Sequence, residues 1–121
     1  MGLFEGLLWL TLNIYHEARG ETKIGQLAVA HVTLNRAMQK QQSLEEVVIA
    51  PYQFSWTFLK NTYVPTEPAA FLDCMKSALE ALTSEDFTEG AIYYHREDVQ
   101  PSWSENMTYI NQYGSHKFYR E

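Results

Sequence analysis

The 121 residues suffice for one domain built around one core, and the formal net charge of −6 sets a pI near 5.1. Acidity without a basic stripe excludes sequence-independent binding to nucleic-acid phosphates. A single cysteine, Cys74, excludes an internal disulfide and a cysteine-based zinc site.

Leu3, Leu7, Leu10 and Ile14 recur at helical spacing, and Phe4, Leu8, Trp9 and Tyr15 widen the stripe. The pattern predicts a helix over 3–18, buried on most sides, which Gly20 ends by taking a positive φ. Residues 7–12 resemble a short signal core, yet no Lys or Arg precedes them and no small-residue cleavage site follows. Asn13 and the charges after it leave too short a run to span a bilayer, so neither a secretion signal nor membrane insertion is expected.

A second helix is predicted over 23–38, with Ile24, Leu27, Ala28, His31, Leu34 and Asn35 on one face. Ser43-Leu44-Glu45-Glu46 has the form of a capping box and opens a short helix that Pro51 stops. Residues 51–57 are polar and aromatic without a period and read as a loop. Thr66-Glu67-Pro68 starts a third long helix reaching about Thr83. Past Gly90, residues 91–95 read as a strand and 97–107 as a loop. Gly114-Ser115 reads as a turn feeding a last short strand. Helices first and a small antiparallel sheet last make the chain α+β and mostly helical.

The most informative stretch is Asn13-Ile14-Tyr15-His16-Glu17-Ala18-Arg19-Gly20-Glu21. Glu17 falls in the last helical turn, where the macrodipole disfavours a negative charge, and burial would raise its pKa further. A carboxyl still protonated near neutral pH is what glycosidic-bond cleavage asks of its proton donor. The competing reading is a solvated glutamate paired with Arg19 or Lys23. Glu21, Glu97 and Asp98 are candidates for a second carboxylate. A separation of about 5 Å would suit a nucleophile and roughly 6.5–9.5 Å a water-activating base.

Other chemistries find little support. His16-Glu17 lacks the second histidine of a zinc protease, because position 20 is Gly20, and His31, His95 and His116 are scattered. No G-x-S-x-G surrounds a serine, and Cys74 lies on the apolar side of a helix. Neither a metal nor a cofactor is expected.

Leu12 to Glu21 in this run, followed by Gly25-Gln26-Leu27-Ala28-Val29-Ala30 and Leu34-Asn35-Arg36, closely resembles the SleB-like cell-wall hydrolase family. That family includes spore cortex-lytic enzymes and related phage lysins. Gln53-Phe54-Ser55-Trp56, Ala91-Ile92-Tyr93-Tyr94, Pro101-Ser102-Trp103 and Gly114-Ser115-His116-Lys117-Phe118-Tyr119 resemble its later motifs in order. One departure is Thr22, where the family commonly carries Pro.

The resemblance implies a lysozyme-like domain over 1–121 related to lytic transglycosylases, with peptidoglycan glycan strands as partner and Glu17 as the acid. It points to a bare, monomeric catalytic module such as a phage endolysin, made in the cytoplasm without a signal peptide and acting on the wall after release. The expected reaction cleaves between N-acetylmuramic acid and N-acetylglucosamine and leaves 1,6-anhydro ends. A hydrolytic muramidase using a second carboxylate and a non-catalytic peptidoglycan-binding domain are the alternatives. Gln53, Ser55 and Tyr94 are expected to hydrogen-bond near Glu17, and Trp56, Trp103 and Tyr119 to pack on sugar faces. His116 is expected to cap a turn or bind ligand, and Arg19 to tie Glu17 to Glu21.

Overall fold

The computed structural model describes residues 2–50, 53–59 and 63–121. Helix α1 (Leu3–Ala18) is present as expected, but only its C-terminal half is enclosed. Leu3 is 75% exposed and Phe4 84%, whereas Leu10, Ile14 and Tyr15 are buried. Apolarity alone did not place the first two turns in the core, because α2, α3 and α5 converge on the later turns.

Helix α2 (Lys23–Lys40) starts at Thr22, whose hydroxyl accepts a hydrogen bond from Gly25 N at 3.3 Å. The threonine therefore supplies an N-cap where a proline would supply only a fixed φ. The helix runs two residues beyond the expected Met38 and stops at Gln41, whose φ of 53° is left-handed. In α3 (Leu44–Ile49) the capping box forms. Glu46 N donates to Ser43 Oγ at 3.1 Å and Ser43 N to Glu46 Oε1 at 2.9 Å, which holds the Glu46 carboxyl below its usual range. Pro51, the expected stop for this helix, lies outside the described residues.

Part of the stretch expected to be a loop is instead a single helical turn, α4 (Trp56–Leu59). Phe54 and Trp56 anchor it by joining Leu12, Val47 and Val48 in a small apolar cluster. Helix α5 (Pro68–Leu82) opens on proline as expected, and the free amides of Thr66 and Glu67 both donate to Tyr15 Oη at 3.1 Å. Cys74 is buried in the main core, and burial pushes its thiol up to about 11, so the sulfur stays protonated and inert.

Strand β1 (Tyr93–Arg96) begins two residues later than expected, and β3 (His116–Arg120) forms as expected after a turn at Gly114, where φ is 61°. Two elements were not foreseen: a 3-10 turn over Ser102–Asn106 inside the expected loop, and strand β2 (Thr108–Tyr113). The sheet is antiparallel in the order β1-β3-β2, so the last strand in sequence is central. Tyr94 pairs with Phe118 and Arg96 with His116. By the alternation of a strand these four share the face towards the helices, while Tyr93, His95, Lys117 and Tyr119 share the other. Phe118 and Ala91 complete the main core with α1, α2 and α5.

Candidate active site

Glu17 is the penultimate residue of α1, and what holds that helix end is not a left-handed glycine. Arg19 has φ −63°, and among the described residues the positive-φ glycines are Gly90 and Gly114 only. The terminal carbonyls are capped from α2 instead. Gln26 Nε2 donates to Ala18 O and Arg19 O, each at 3.3 Å, and Glu21 N donates to Ala18 O at 3.0 Å. Gln26 is itself fixed by Ser77, whose hydroxyl donates to Gln26 Oε1 at 2.7 Å. One helical turn before Glu17, wholly buried Asn13 donates to Thr33 Oγ1 at 3.1 Å and accepts from Trp56 Nε1 at 2.8 Å. The acid therefore stands on a stiff platform.

From the opposite side the sheet delivers Tyr94, whose hydroxyl donates to Glu17 Oε1 at 2.5 Å. Burial raises the Glu17 pKa and outweighs both the Tyr94 hydrogen bond and the charge of Arg36, which act to lower it. Burial and the neighbouring Glu17 push the Tyr94 hydroxyl well above its ordinary value, so it remains a donor. Arg36 is buried on α2, donates through Nε to Ile92 O at 2.6 Å and reaches Gln53 Oε1 at 3.4 Å. Its guanidinium lies over the rings of Phe54 and Tyr93 at 5.0 and 5.2 Å.

Glu17 opens into a cleft of about 520 Å³ that Arg19, Gly20, Glu21, Arg96 and Ser115 also line. A side chain at Gly20 would meet nothing within 4 Å, so that glycine forms an open floor. Glu21 belongs to the cleft, yet its Oε1 accepts from Ser115 N at 2.8 Å, and a side chain at Gly114 would overlap that oxygen. Glu21 thus clamps the β2–β3 turn to the start of α2. Asp98 does not reach the cleft; it pairs with Arg96 at 3.3 Å and its side chain is 66% exposed. Glu97 accepts from Gln112 at 3.1 Å.

The other expected contacts divide. Tyr94 lies at Glu17, and Gln53 is linked to it through Arg36. Ser55 is exposed. Trp56 (3% exposed), His116 (5%) and Tyr119 (6%) are buried and present no face to a sugar. Trp56 stacks on His16 and bonds Asn13, while Tyr119 stacks on His95 with its hydroxyl 2.9 Å from His95 Nε2. His116 packs edge-on against Tyr94 beneath the cleft, and burial lowers its pKa. Half-buried Trp103 packs against Tyr93, His95 and Tyr119 on the outer face of the sheet. Arg19 does not tie Glu17 to Glu21: it binds Glu67 at 2.6 Å and lies over Tyr15.

Arg36, Gln26 and Asn13 were missed as site residues. Arg36 sits 19 positions from Glu17 in sequence, and its local signals are its place in the Leu34-Asn35-Arg36 motif and its charge on a buried helix. Among the described residues no group of three or more His, Cys, Asp or Glu side chains could hold a metal ion, and no helix is long and apolar enough to cross a membrane.

The Glu17 carboxyl, at the end of α1 that Gln26 from α2 caps and bonded by Tyr94 from the sheet, thus faces one open cleft. The chain belongs to the cell wall hydrolase family, whose model matches residues 20–119. Spore cortex-lytic enzymes of Halalkalibacterium halodurans and Bacillus subtilis are similar, at 32% identity over 108 residues and 33% over 109. Each alignment covers 87% of this chain but 32% and 34% of those proteins, so the chain spans about a third of the length of these relatives. Among solved structures, the catalytic domain of the germination-specific lytic transglycosylase SleB from Bacillus anthracis matches with a TM-score of 0.80 at 28% identity. It covers 95% of this chain and 93% of that one. The SleB catalytic domain of Bacillus cereus matches with a TM-score of 0.80 at 30% identity, covering 98% and 93%. Both share the mostly helical fold with its small sheet.

Proposed function

We propose that this chain cleaves the glycan strand of peptidoglycan between N-acetylmuramic acid and N-acetylglucosamine as a lytic transglycosylase, with Glu17 as its acid and base. The observation that carries the reading is a half-buried carboxyl whose pKa is raised, facing an open cleft and fixed by Tyr94. The similar Bacillus anthracis domain is a lytic transglycosylase, which supports the same reaction.

Because Tyr94 donates to Oε1, the transferable proton belongs on Oε2. Glu17 gives that proton to the glycosidic oxygen as the bond to the muramyl C1 breaks, leaving an oxocarbenium-like centre. The Tyr94 hydroxyl and the Arg36 charge then stabilise the carboxylate. The ionised Glu17 next takes the proton of the muramyl C6 hydroxyl while that oxygen bonds to C1. This closes the 1,6-anhydro ring and returns the acid to its starting state. The scheme needs one carboxylate, which fits a site where Glu21 has one oxygen committed to Ser115 and Asp98 stands outside the cleft.

The hydrolytic reading keeps Glu21 as the base that activates water, since it lines the same cleft. Digestion of purified sacculi followed by mass spectrometry separates the two. Muropeptides with 1,6-anhydro ends are expected, reducing muramic acid ends would establish hydrolysis, and binding without soluble fragments would establish a non-catalytic domain. We take residues 1–121 as a single, monomeric catalytic domain, a reading that size-exclusion chromatography with light scattering tests. A role in lysis, as in the phage lysins that the sequence resembles, is tested by adding the protein to cells with a permeabilised outer membrane and following turbidity.

A further inference from the structure

A second depression, of about 260 Å³, adjoins the Glu17 cleft and shares Arg19 and Glu21 with it. It lies where the end of α1 and the start of α2 meet α5. Its base is built rather than incidental: Ser77, wholly buried, donates to Gln26 Oε1 at 2.7 Å and accepts from Lys23 Nζ at 3.1 Å. Lys23 also lies 3.9 Å from Glu80, and half of its side chain is exposed. Lys76, next in sequence to Ser77, is exposed and has no ion-pair partner among the described residues. Asp73, one turn earlier on α5, contributes the opposing charge.

The distribution of charge gives this depression its meaning. The chain carries nine Lys and Arg against fifteen Asp and Glu. Four of the nine (Arg19, Lys23, Lys76 and Arg96) line the two adjoining depressions, against three of the fifteen (Glu17, Glu21 and Asp73). An acidic protein thus concentrates its cations around one continuous hollow. Peptidoglycan is itself an anionic polymer, because the lactyl groups of muramic acid carry stem peptides with free carboxylates. A strand lying across Glu17 projects those branches sideways from the glycan.

We propose that the depression lined by Lys23, Lys76, Gln26 and Ser77 binds the stem-peptide carboxylates of the substrate strand, with the two lysines as their cationic partners; this rests on reading the Glu17 cleft as glycan-cleaving. Recognition is then a salt-sensitive, mostly ground-state contact that draws an acidic enzyme onto an acidic polymer. It favours strands that retain their peptides over strands that have lost them.

The test uses the full chain with Lys76→Glu and the charge-keeping Lys76→Arg, assayed on glycan strands with stem peptides and on the same strands stripped by an amidase. On peptide-bearing strands Lys76→Glu should raise KM about five-fold with kcat unchanged, the difference vanishing at high salt, and Lys76→Arg should behave as the parent. On stripped strands both variants should match the parent. An equal effect on the two substrates, or none on either, overturns the proposal. If the parent cleaves neither substrate, the glycan-cleaving reading fails on its own. Co-sedimentation of the Glu17→Gln protein with peptide-bearing strands then judges the site: loss of binding on adding Lys76→Glu supports it, and unchanged binding refutes it.

Discussion

The two ends of α1 are buried in an order opposite to their polarity. At the N-terminal end Leu3, Phe4 and Leu8 face solvent, while towards the C-terminal end Thr11 and Asn13 are wholly buried and Glu17 half-buried. These three polar groups each have a partner: Thr11 Oγ1 donates to Leu7 O at 2.7 Å, Asn13 bridges Thr33 and Trp56, and Glu17 accepts from Tyr94. Burial along this helix follows where the neighbouring elements converge and whether polar groups can be satisfied there. A solvated apolar end costs little, whereas a dry polar end is sustained by hydrogen bonds to its buried groups.

The largest effect expected at the dry end is that of Glu17→Gln, which keeps the shape and removes the titratable proton. Release of soluble muropeptides should fall at least about 10³-fold, near the upper range for loss of a general acid. The folded pKa of Glu17 lies above its unfolded value, so the native state holds the proton more tightly and loses stability as pH rises through that window. Glu17→Gln should therefore melt no lower than the parent at neutral pH. A clear drop in Tm would mean the carboxyl supports the fold instead of straining it. By the same sign, kcat/KM should fall on the alkaline side as Glu17 ionises, which a pH–rate profile measures.

Tyr94→Phe deletes the donor to Glu17 while keeping the ring against His116 and Phe118. It should lower kcat by about ten-fold or more, the worth of a hydrogen bond to a charged group. Because that bond holds the carboxyl down, the alkaline limb should also move to higher pH. Asn13→Ala orphans the Trp56 indole N–H and should cost about 2–3 kcal/mol in urea unfolding. Gly114→Ala combines a strained φ with overlap on Glu21 Oε1 and should cost about 1–2 kcal/mol, with activity falling further than stability. Smallest of all, Leu3→Ser with Phe4→Ser at the wet end should change stability by less than about 1 kcal/mol. Should that pair cost as much as Asn13→Ala, the contrast between the two ends is wrong.

What could be read without coordinates was local in origin. The capping box at Ser43, the proline start of α5, the periodic α1 and α2, and Glu17 at a helix end each depend on neighbours within about a turn. The misses depend on partners far along the chain. Gly20 was given a capping role that Gln26 performs through its side chain. The aromatic character of Trp56 and Tyr119 suits sugar faces, yet their rings stack on His16 and His95 inside the protein. Strand β2 escaped notice because Thr108, Asn111 and Gln112 dilute its apolar alternation and its register shifts between Tyr109 and Asn111. Arg36 stands in the Leu34-Asn35-Arg36 motif, yet neither its charge nor its spacing ties it to Glu17. Only the fold brings it to Ile92, Gln53 and the acid.

The central position of β3 has a consequence for how the molecule is made. Strand β1, which carries Tyr94, hydrogen-bonds to residues 116–119 and has no other strand beside it among the described residues. While a chain is being synthesised, α1 to α5 can emerge and pack before the tyrosine has anything to lean on. A nascent or truncated product ending before His116 would carry Glu17 without its sheet partner. Assembly of the acid is thereby deferred until residues 116–119 have been translated.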